Sequence, residues 1–515
     1  MTPKPGNSAR QVRPLRRPAP VSGLKPEGAL LCLAPWCLAE IFQANPTVSW
    51  LVAWLGSWGI LLAVWTGRVF ALPTDRPLRD QLLRPWMLMQ AIYAGFNFIT
   101  AVFYWLNLKG ITFGLAEPPL AGEADWMLAA QIQRHYVLAH AGLAIGFGLA
   151  FGVARNLNDR SITNQPEDER RLPRLLLNLA IMAVIAVLVF TRIPGLSQVA
   201  VKCRAFAVVA IAVGYGLAIQ YRSSALLPLG VGVVVLAISA LASGWKEEVL
   251  VLVLLIAAGF FPRAPKTVSI VTGLALVAGM VVLPAFTMSI RESRWEEGMG
   301  ESKGLQAAAN TVRNMSSTEF EESTWRFATE RLSEASMFAT FMQDVPERHP
   351  YYGLQLVKQA VASLVPRLLW RSKPNVEELV MARTREHGVV STEARVSAKP
   401  AFVVDCYLSG GLLGVFLGGI FLGLAAQLGS SLCERVFGGY LLGGVVFNGL
   451  FAILWRGNCF EFLANSLFWS FVLVWLWKVT FGGSSARLER LGARRKREVR
   501  SGGRASPKPE PGSAL

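Results

Sequence analysis

Long apolar runs separated by short polar segments occupy most of this chain. A helix needs roughly 20 apolar residues to cross ~30 Å of hydrocarbon, and most of the runs approach or exceed that length. The pattern predicts an all-α polytopic membrane protein with about twelve spans, of which the first is the shortest. The runs lie near residues 29–42, 48–72, 86–108, 136–154, 175–191, 199–221, 225–243, 249–261, 268–290, 401–427, 438–455 and 460–481.

The composition supports this interpretation. Of the 515 residues, 53% are hydrophobic and 17% are charged, and the mean hydropathy is +0.40. A soluble protein of this size carries a charged fraction nearer a quarter and cannot bury so much apolar surface in ordinary domains. The composition therefore excludes the common classes of soluble globular protein.

The net charge of +17 raises the question of a nucleic-acid partner. Residues 291–399 carry 15 basic and 15 acidic side chains, so the excess lies in the two tails and in short loops between apolar runs. Basic residues in such loops favour the cytoplasmic side. The charge thus predicts topology, with both termini cytoplasmic and residues 291–399 outside, and we expect no nucleic-acid partner.

The order of apolar and polar segments divides the chain into five parts. Two basic tails are expected to be disordered because they are rich in Pro, Gly and Arg. About nine helices precede the large extracytoplasmic loop and about three follow it. The parts are residues 1–28 (tail), 29–290 (helical bundle), 291–399 (loop), 400–481 (helices) and 482–515 (tail).

The large loop has helical signals of its own. Thr318-x-x-Glu321 has the spacing of a capping box, and apolar residues recur at helical spacing from Trp325 to Met342. A second amphipathic stretch runs from Leu354 to Leu368. Asn375 is placed to cap a third helix that ends near residues 387–388. A loop with this much order is expected to carry function.

Metal-ligand spacing is missing from the sequence. The chain has six Cys and four His, and no two Cys stand in C-x-x-C spacing. We therefore expect neither a disulfide framework nor a metal centre, and no cofactor.

Three short segments resemble one known family. They are Pro350-Tyr-Tyr-Gly353, Val365-Pro-Arg-Leu-Leu-Trp-Arg-Ser-Lys-Pro374 and Asp405-x-Tyr407-x-x-x-Gly411, preceded by Trp325-Arg-Phe327 with Arg331. Together with the topology they resemble the oligosaccharide repeat-unit polymerases, the Wzy-type O-antigen polymerases. The chain departs from the family pattern at Arg371, where Pro is usual, and at Asp405, where Glu is usual.

The resemblance implies a glycosyltransferase of the bacterial inner membrane. Such an enzyme joins polyprenyl-diphosphate-linked oligosaccharide repeats of a surface polysaccharide on the outer face, by metal-independent displacement with inversion. Membrane lipids, a flippase and a chain-length regulator are the expected partners. Two alternatives remain open: an O-antigen-ligase-like transferase, and a glycolipid flippase or transporter without catalysis. The concentration of polar residues in one outer loop favours an enzyme over a transporter.

The implied reaction assigns roles to individual residues. A diphosphate leaving group needs positive charge, and Arg meets phosphate oxygens with two parallel hydrogen bonds. Tyr352 and Trp370 are candidates for sugar contact. The acceptor hydroxyl needs a base, for which we place Asp405 ahead of His349. The candidate cations are Arg326, Arg331, Arg367 and Lys373, with Lys202 and Arg204 at the outer end of the sixth span.

Each of these residues also has a simpler interpretation. Arg326 lies four residues from Glu330, so an ion pair on the helix surface explains it equally well. Basic residues near the membrane pair with lipid headgroups, and Trp370 is suited to anchoring at the interface. Asp405 is placed to pair with an arginine of the loop such as Arg367.

Overall fold

Helices form the secondary structure of the described part of the computed structural model, which comprises residues 23–158, 166–193, 196–243, 246–291, 301–365, 370, 372–373, 375–391 and 398–480. No β-strand occurs in this part, and Leu24 and Phe70 form an isolated antiparallel bridge. Arg367 and the tail from residue 481 lie outside the described residues. The predicted all-helical fold class is confirmed.

The bundle before the large loop contains ten helices among the described residues. They are α1 (Pro26–Ile41), α2 (Pro46–Trp65), α3 (Leu88–Tyr93), α4 (Val102–Leu108), α5 (Glu123–Asn158), α6 (Pro166–Phe190), α7 (Ser197–Tyr221), α8 (Leu226–Ser243), α9 (Lys246–Phe260) and α10 (Pro265–Arg291). A proline in the first turn starts α1, α2, α6 and α10, because its missing N–H costs nothing there.

The loop and the C-terminal part supply the remaining described helices. In the loop they are α11 (Glu301–Asn314), α12 (Ser317–Glu330), α13 (Ala335–Asp344), α14 (Gln355–Ala362) and α15 (Val376–Glu386). After the loop they are α16 (Phe402–Val436, with non-helical backbone at Gly410 and Gly411), α17 (Tyr440–Leu450), α18 (Ile453–Arg456) and α19 (Phe460–Thr480).

Seven described helices are long and apolar enough to cross a membrane: Pro46–Trp65, Glu123–Val153, Glu169–Phe190, Ser197–Tyr221, Pro265–Val282, Phe402–Val436 and Phe460–Thr480. Three shorter apolar helices accompany them, Leu226–Ala242, Glu248–Phe260 and Tyr440–Leu450. Large apolar side chains are exposed along α6, α8 and α10, as lipid-facing surfaces require. The chain is a membrane protein; twelve spans and the outer position of the loop stay predictions.

Three of the predicted spans are interrupted. The run near 401–427 has non-helical backbone at Gly410 and Gly411. The run near 86–108 divides into α3, a π-helical segment at Ala94–Ile99, and α4. The run near 438–455 stops at Leu450, whose carbonyl oxygen accepts hydrogen bonds from Lys202 Nζ (2.6 Å) and Ser470 Oγ (2.5 Å). A helix end inside an apolar bundle needs such partners for its free carbonyls. Lys202 therefore caps α17.

The pair α5 and α16 forms the centre of the bundle. Gly142 and Gly146 of α5 face Gly419 and Gly423 of α16. A Cβ atom added at Gly142 would lie 2.5 Å from the carbonyl oxygen of Phe416, closer than real Cβ atoms come. The glycines thus let the two backbones touch, which is how helices commonly pack in membranes. The first turns of α16, where the candidate site lies, pack against the later part of this helix, since Cys406 closely approaches Gly414 and Gly418.

The loop helices differ in detail from the predicted ones. The capping box is formed by Ser316 and Glu319, not by Thr318 and Glu321, since Glu319 N donates to Ser316 Oγ (3.2 Å) and Ser316 N donates to Glu319 Oε2 (2.9 Å). The predicted helix from 325 to 342 is two helices. Tyr136 Oη donates to the carbonyl oxygen of Ser333 (2.9 Å) at the break between them.

Candidate functional site

Asp344, His349 and His387 meet at one carboxylate oxygen. His349 Nδ1 lies 2.8 Å from Asp344 Oδ2, and His387 Nδ1 contacts the same oxygen. The side chain of His387 is fully buried, whereas that of His349 is 43% exposed. This group, which we call the histidine cluster, reaches from the interior to the surface.

The turn after α13 positions two members of the cluster. Asp344 ends α13, and its carbonyl oxygen accepts hydrogen bonds from the backbone N–H groups of Arg348 (2.8 Å) and His349 (3.1 Å). The chain therefore folds back on itself and places the ring of His349 over the carboxylate of the residue that ends the helix.

Helix α15 brings the third member. Asn375 Oδ1 accepts from Glu377 N (3.2 Å) as the predicted N-cap, and α15 ends at Glu386 before Gly388, whose φ is +70°. Left-handed φ values suit glycine after a helix end. His387 is thus the C-cap residue of α15, and its ring contacts Asp344 and Phe341 near the end of α13.

Tyr352 links the cluster to the start of α16. Its hydroxyl oxygen lies 2.9 Å from His387 Nε2 and donates to Glu386 Oε2 at 3.2 Å. Its backbone N–H donates to the carbonyl oxygen of Leu408 (2.8 Å). Burial, together with the carboxylate of Glu386, raises the pKa of Tyr352 to about 12. Tyr352 therefore stays protonated at neutral pH.

A second, deeper cluster surrounds Arg383. Its Nη1 donates to Glu461 Oε1 (2.9 Å), and its Nη2 donates to Asp405 Oδ2 (3.2 Å). Phe460 N, at the start of α19, donates to the same Asp405 oxygen (2.9 Å). The side chains of Asp405 and Glu461 are fully buried. We call these residues the arginine cluster.

Helix α15 joins the two clusters, because Arg383 and His387 lie one helical turn apart. A second connection runs through Tyr407, which follows Asp405 by two residues and donates from Oη to the carbonyl oxygen of Val345 (2.8 Å). Gly411 (φ +57°) closes this region: a Cβ atom there would lie 2.9 Å from Tyr351 Oη. The left-handed backbone and the close approach both require glycine.

The electrostatics of the region follow from these contacts. Hydrogen bonds from His387 and His349 lower the pKa of Asp344 against the opposing effect of burial, so that its carboxyl group is ionised at neutral pH. Burial alone would lower the pKa of Arg383, but the carboxylates of Asp405 and Glu461 raise it. Burial raises the pKa of the Cys459 thiol. The region thus contains a negative charge on Asp344 and a positive charge on Arg383 at neutral pH.

Three of the residues predicted from the sequence come together here: His349, Tyr352 and Asp405. Asp405 has no exposed surface, and its partner is Arg383, where the sequence suggested Arg367. Of these three, His349 is the imidazole, with Asp344 as its carboxylate partner and a side chain that is 43% exposed.

The other predicted residues lie elsewhere or serve local structure. Arg326 pairs with Glu330 (3.3 Å) on the exposed face of α12, and Arg204 is 59% exposed beside Glu248 (3.9 Å). Arg331 is an exposed residue at the end of α12. Lys373 Nζ donates to the carbonyl oxygens of Ser363 (2.5 Å) and Val365 (2.9 Å), and Trp370 Nε1 donates to Ser372 Oγ (3.1 Å).

Sequence reasoning missed four residues: Asp344, Arg383, His387 and Glu461. His387 was noticed only as a helix end. Glu461 carried a usable signal, since a carboxylate in the first turn of an apolar span needs a partner. The expectation that metal-ligand residues do not cluster is wrong in the described structure: Asp344, His349 and His387 bring ligand atoms within 4.8 Å of one another, as do Asp405, Cys459 and Glu461.

Comparison with known proteins gives a single family match. The model of a family described as a domain of unknown function (DUF8712) matches residues 34–484. The match spans the bundle, the loop and the helices after it. No match to a curated protein or to a solved structure was found.

Proposed function

Since the chain belongs to the DUF8712 family, whose function is unknown, we propose from its own residues that it is a membrane glycosyltransferase. Its reaction is the polymerisation of polyprenyl-diphosphate-linked oligosaccharide repeats on the outer face of a bacterial inner membrane. The histidine cluster is the place where the acceptor hydroxyl is activated. The oligosaccharide repeat-unit polymerases are the proposed relatives.

One observation carries this proposal. Two of the segments that resemble the polymerases, Pro350–Gly353 and Asp405–Gly411, are more than fifty residues apart in the chain yet lie side by side. Tyr352 N donates to the carbonyl oxygen of Leu408, and the rings of Tyr351 and Tyr407 are 5.8 Å apart. The exposed His349 lies immediately before the first segment. A local resemblance in sequence thus coincides with one site in space.

The third resembling segment approaches the same region at its two ends. Ser363, just before the block 365–374, donates from Oγ to the carbonyl oxygen of Glu461 (3.1 Å). Lys373, near its end, donates back to the carbonyl oxygen of Ser363. Both ends are therefore tied to the start of α19, beside the arginine cluster. Arg367, inside the block, stays the candidate for binding the donor diphosphate.

The chemistry requires a proton acceptor and a leaving group. The oxygen of the acceptor hydroxyl forms a bond to the anomeric carbon of the donor sugar. The bond from that carbon to the diphosphate oxygen breaks, and the diphosphate leaves with the electron pair. The hydroxyl proton passes to His349 of the histidine cluster. The ionised carboxylate of Asp344 holds the exposed ring of His349 in place.

The test is polymer formation by a His349→Ala variant. Membranes containing equal amounts of each protein would be supplied with a lipid-linked repeat, and chain length read on gels. We expect the variant to lose elongation by a factor on the order of 10²–10⁴, because general acid–base catalysis contributes that much. Glu347→Gln, an exposed change in the same turn, is the matched control and should elongate normally.

Other outcomes identify other functions. Transfer of one finished glycan to a non-repeat acceptor would indicate a ligase. Movement of the lipid-linked repeat across the membrane without any new glycosidic bond would indicate a flippase. Normal elongation by His349→Ala would remove the histidine cluster from the reaction.

A further inference from the structure

Three potential metal ligands converge in the histidine cluster. Asp344, His349 and His387 each direct a ligand atom into one place, with these atoms all within 4.8 Å of one another. Two imidazoles and one carboxylate are a donor set that binds divalent transition metals, whereas Mg²⁺ and Ca²⁺ prefer oxygen ligands. The second group of potential ligands, around Asp405, is already occupied by the guanidinium of Arg383.

Both ring nitrogens of His387 have partners in this cluster. Tyr352 has one hydroxyl proton and donates it to Glu386 Oε2 (3.2 Å). The contact between Tyr352 and His387 Nε2 (2.9 Å) then requires the proton on Nε2. Nδ1 faces the carboxylate of Asp344, where a bound cation would take the place of the proton in that hydrogen bond. A metal-bound histidine commonly makes this kind of outer contact, which fixes its tautomer.

The surroundings suit a site with an open coordination position. His387 is fully buried and packs against the ring of Phe341, with centroids 5.4 Å apart. His349 is 43% exposed and follows a turn, so its ring can adjust. In a tetrahedral zinc site the ligand atoms lie ~2.1 Å from the metal and roughly 3.4 Å from one another. The distance between His349 Nδ1 and Asp344 Oδ2, now 2.8 Å, would therefore increase by about half an ångström on binding.

We infer that Asp344, His349 and His387 form a binding site for a divalent transition metal of the zinc type, open on its solvent side. Three protein ligands with an open fourth position are the arrangement of catalytic zinc sites rather than structural ones. This inference replaces the expectation, drawn from the sequence, that the protein binds no metal.

The role of the metal in the reaction rests on the proposed function; its binding does not. Zn²⁺ lowers the pKa of a bound water to ~7, and it would favour loss of the proton from a bound acceptor hydroxyl in the same way. The acceptor would release that proton to water, its oxygen would attack the anomeric carbon, and the diphosphate would leave with the bonding electron pair. His349 and His387 would then act by holding the metal.

Metal binding is measured on the full chain in detergent, without reference to activity. The protein is stripped with a chelator, titrated with Zn²⁺ and, separately, with Co²⁺, and dialysed before elemental analysis. We expect one tightly held Zn²⁺ per chain and visible absorption bands from Co²⁺ bound to nitrogen and oxygen. His349→Ala, at an exposed position, should weaken binding more than tenfold, as should Asp344→Asn.

Tyr352→Phe tests the proposed outer contact. It should weaken Zn²⁺ binding about 10–100-fold, as loss of such contacts typically does. Glu347→Gln is the control and should bind as the parent does. Unchanged Zn²⁺ affinity in both His349→Ala and Asp344→Asn, or no bound ion in the parent, would overturn the inference. Elongation without bound metal would leave the proposed function intact, and bound metal without elongation would leave the metal site intact.

Discussion

Two arginines in this protein are each held between two carboxylates, and the two arrangements differ. Arg84 lies between Asp75 and Glu434, at the end of the bundle where α16 finishes. Arg383 lies between Asp405 and Glu461, where α16 and α19 begin. The first group joins a loop of the N-terminal bundle to the C-terminal helices, and the second joins the large loop to those helices.

The group around Arg84 is saturated. Its two pairs of hydrogen bonds to Asp75 (2.8 and 2.8 Å) and Glu434 (2.9 and 2.9 Å) are completed by one to Gln81 Oε1 (2.8 Å). The guanidinium also lies over the ring of Tyr440, 5.2 Å from its centroid. The side chains of Asp75 and Glu434 are 20% and 18% exposed. Water can therefore still reach both carboxylates.

The arginine cluster is less complete and more deeply buried. Among the described residues, Arg383 Nε has no hydrogen-bond partner, and Asp405 Oδ1 has an ion-pair contact with Arg383 Nη2 (3.1 Å); both carboxylate side chains are fully buried. Buried groups are usually satisfied, so such exceptions call for an explanation. A saturated ionic group holds structure together. An unsaturated group with fully buried carboxylates depends more strongly on its single guanidinium.

The largest effect is expected from Arg383→Met. Removal of the guanidinium leaves two buried carboxylates without a counter-charge, which typically costs about 3–5 kcal/mol. Arg84→Met is the matched change. It should cost less, about 1–3 kcal/mol, because its carboxylates can be hydrated. The measurement is the thermal unfolding midpoint in detergent.

A triple variant, Arg383→Met with Asp405→Asn and Glu461→Gln, separates charge from packing. It should recover most of the stability that Arg383→Met loses, since no buried charge remains. A greater loss in Arg84→Met than in Arg383→Met would contradict the comparison between the two groups.

The next effect is a dependence on pH at the group around Arg84. Burial raises the pKa of Asp75, but hydrogen bonds and charge from Arg84 outweigh it and lower the pKa below its usual value. A carboxyl group with a lowered pKa stabilises the fold above its unfolded pKa of ~3.9, and this contribution is lost as the pH falls through the folded pKa.

The difference in unfolding midpoint between the parent and Asp75→Asn should therefore shrink as the pH is lowered from 7 toward 3. The same substitution in an Arg84→Met background should give a difference that changes much less, because the stabilising partner is gone. A parent–variant difference that stays constant with pH would show that the ion pair does not contribute in this way.

These groups also show what the sequence can and cannot predict. The apolar runs located the helices well. In lipid, the backbone N–H and C=O groups of a segment must form hydrogen bonds within that segment, so an apolar run by itself predicts a helix. The break at Leu450 was not predicted, since it depends on Lys202, which lies on another helix and donates a hydrogen bond to the carbonyl oxygen of Leu450. The N-cap at Asn375 was predicted because capping is local.

The candidate site was predicted only in part, and for the same reason. His349, Tyr352 and Asp405 lie in segments that carry a resemblance, so they could be named from the sequence. Asp344 and His387 are 43 positions apart, and tertiary structure brings the C-cap of α15 to the end of α13. Nothing local distinguishes Arg383 from the other arginines of the loop. Residues that tertiary packing brings together cannot be recognised from their spacing along the sequence.

The smallest effect tests how α15 holds both clusters. Asn375→Ala removes the hydrogen bond from Glu377 N to the cap, which costs about 1 kcal/mol of helix stability. Because α15 carries Arg383 and His387, faster amide hydrogen exchange should appear along this helix while the group around Arg84 is unchanged. Glu378→Gln, an exposed change in the same first turn, should leave exchange as in the parent, because Glu378 makes no capping contact among the described residues. If Asn375→Ala speeds exchange around Arg84 as much as along α15, the two ionic groups unfold as one unit and cannot be treated separately.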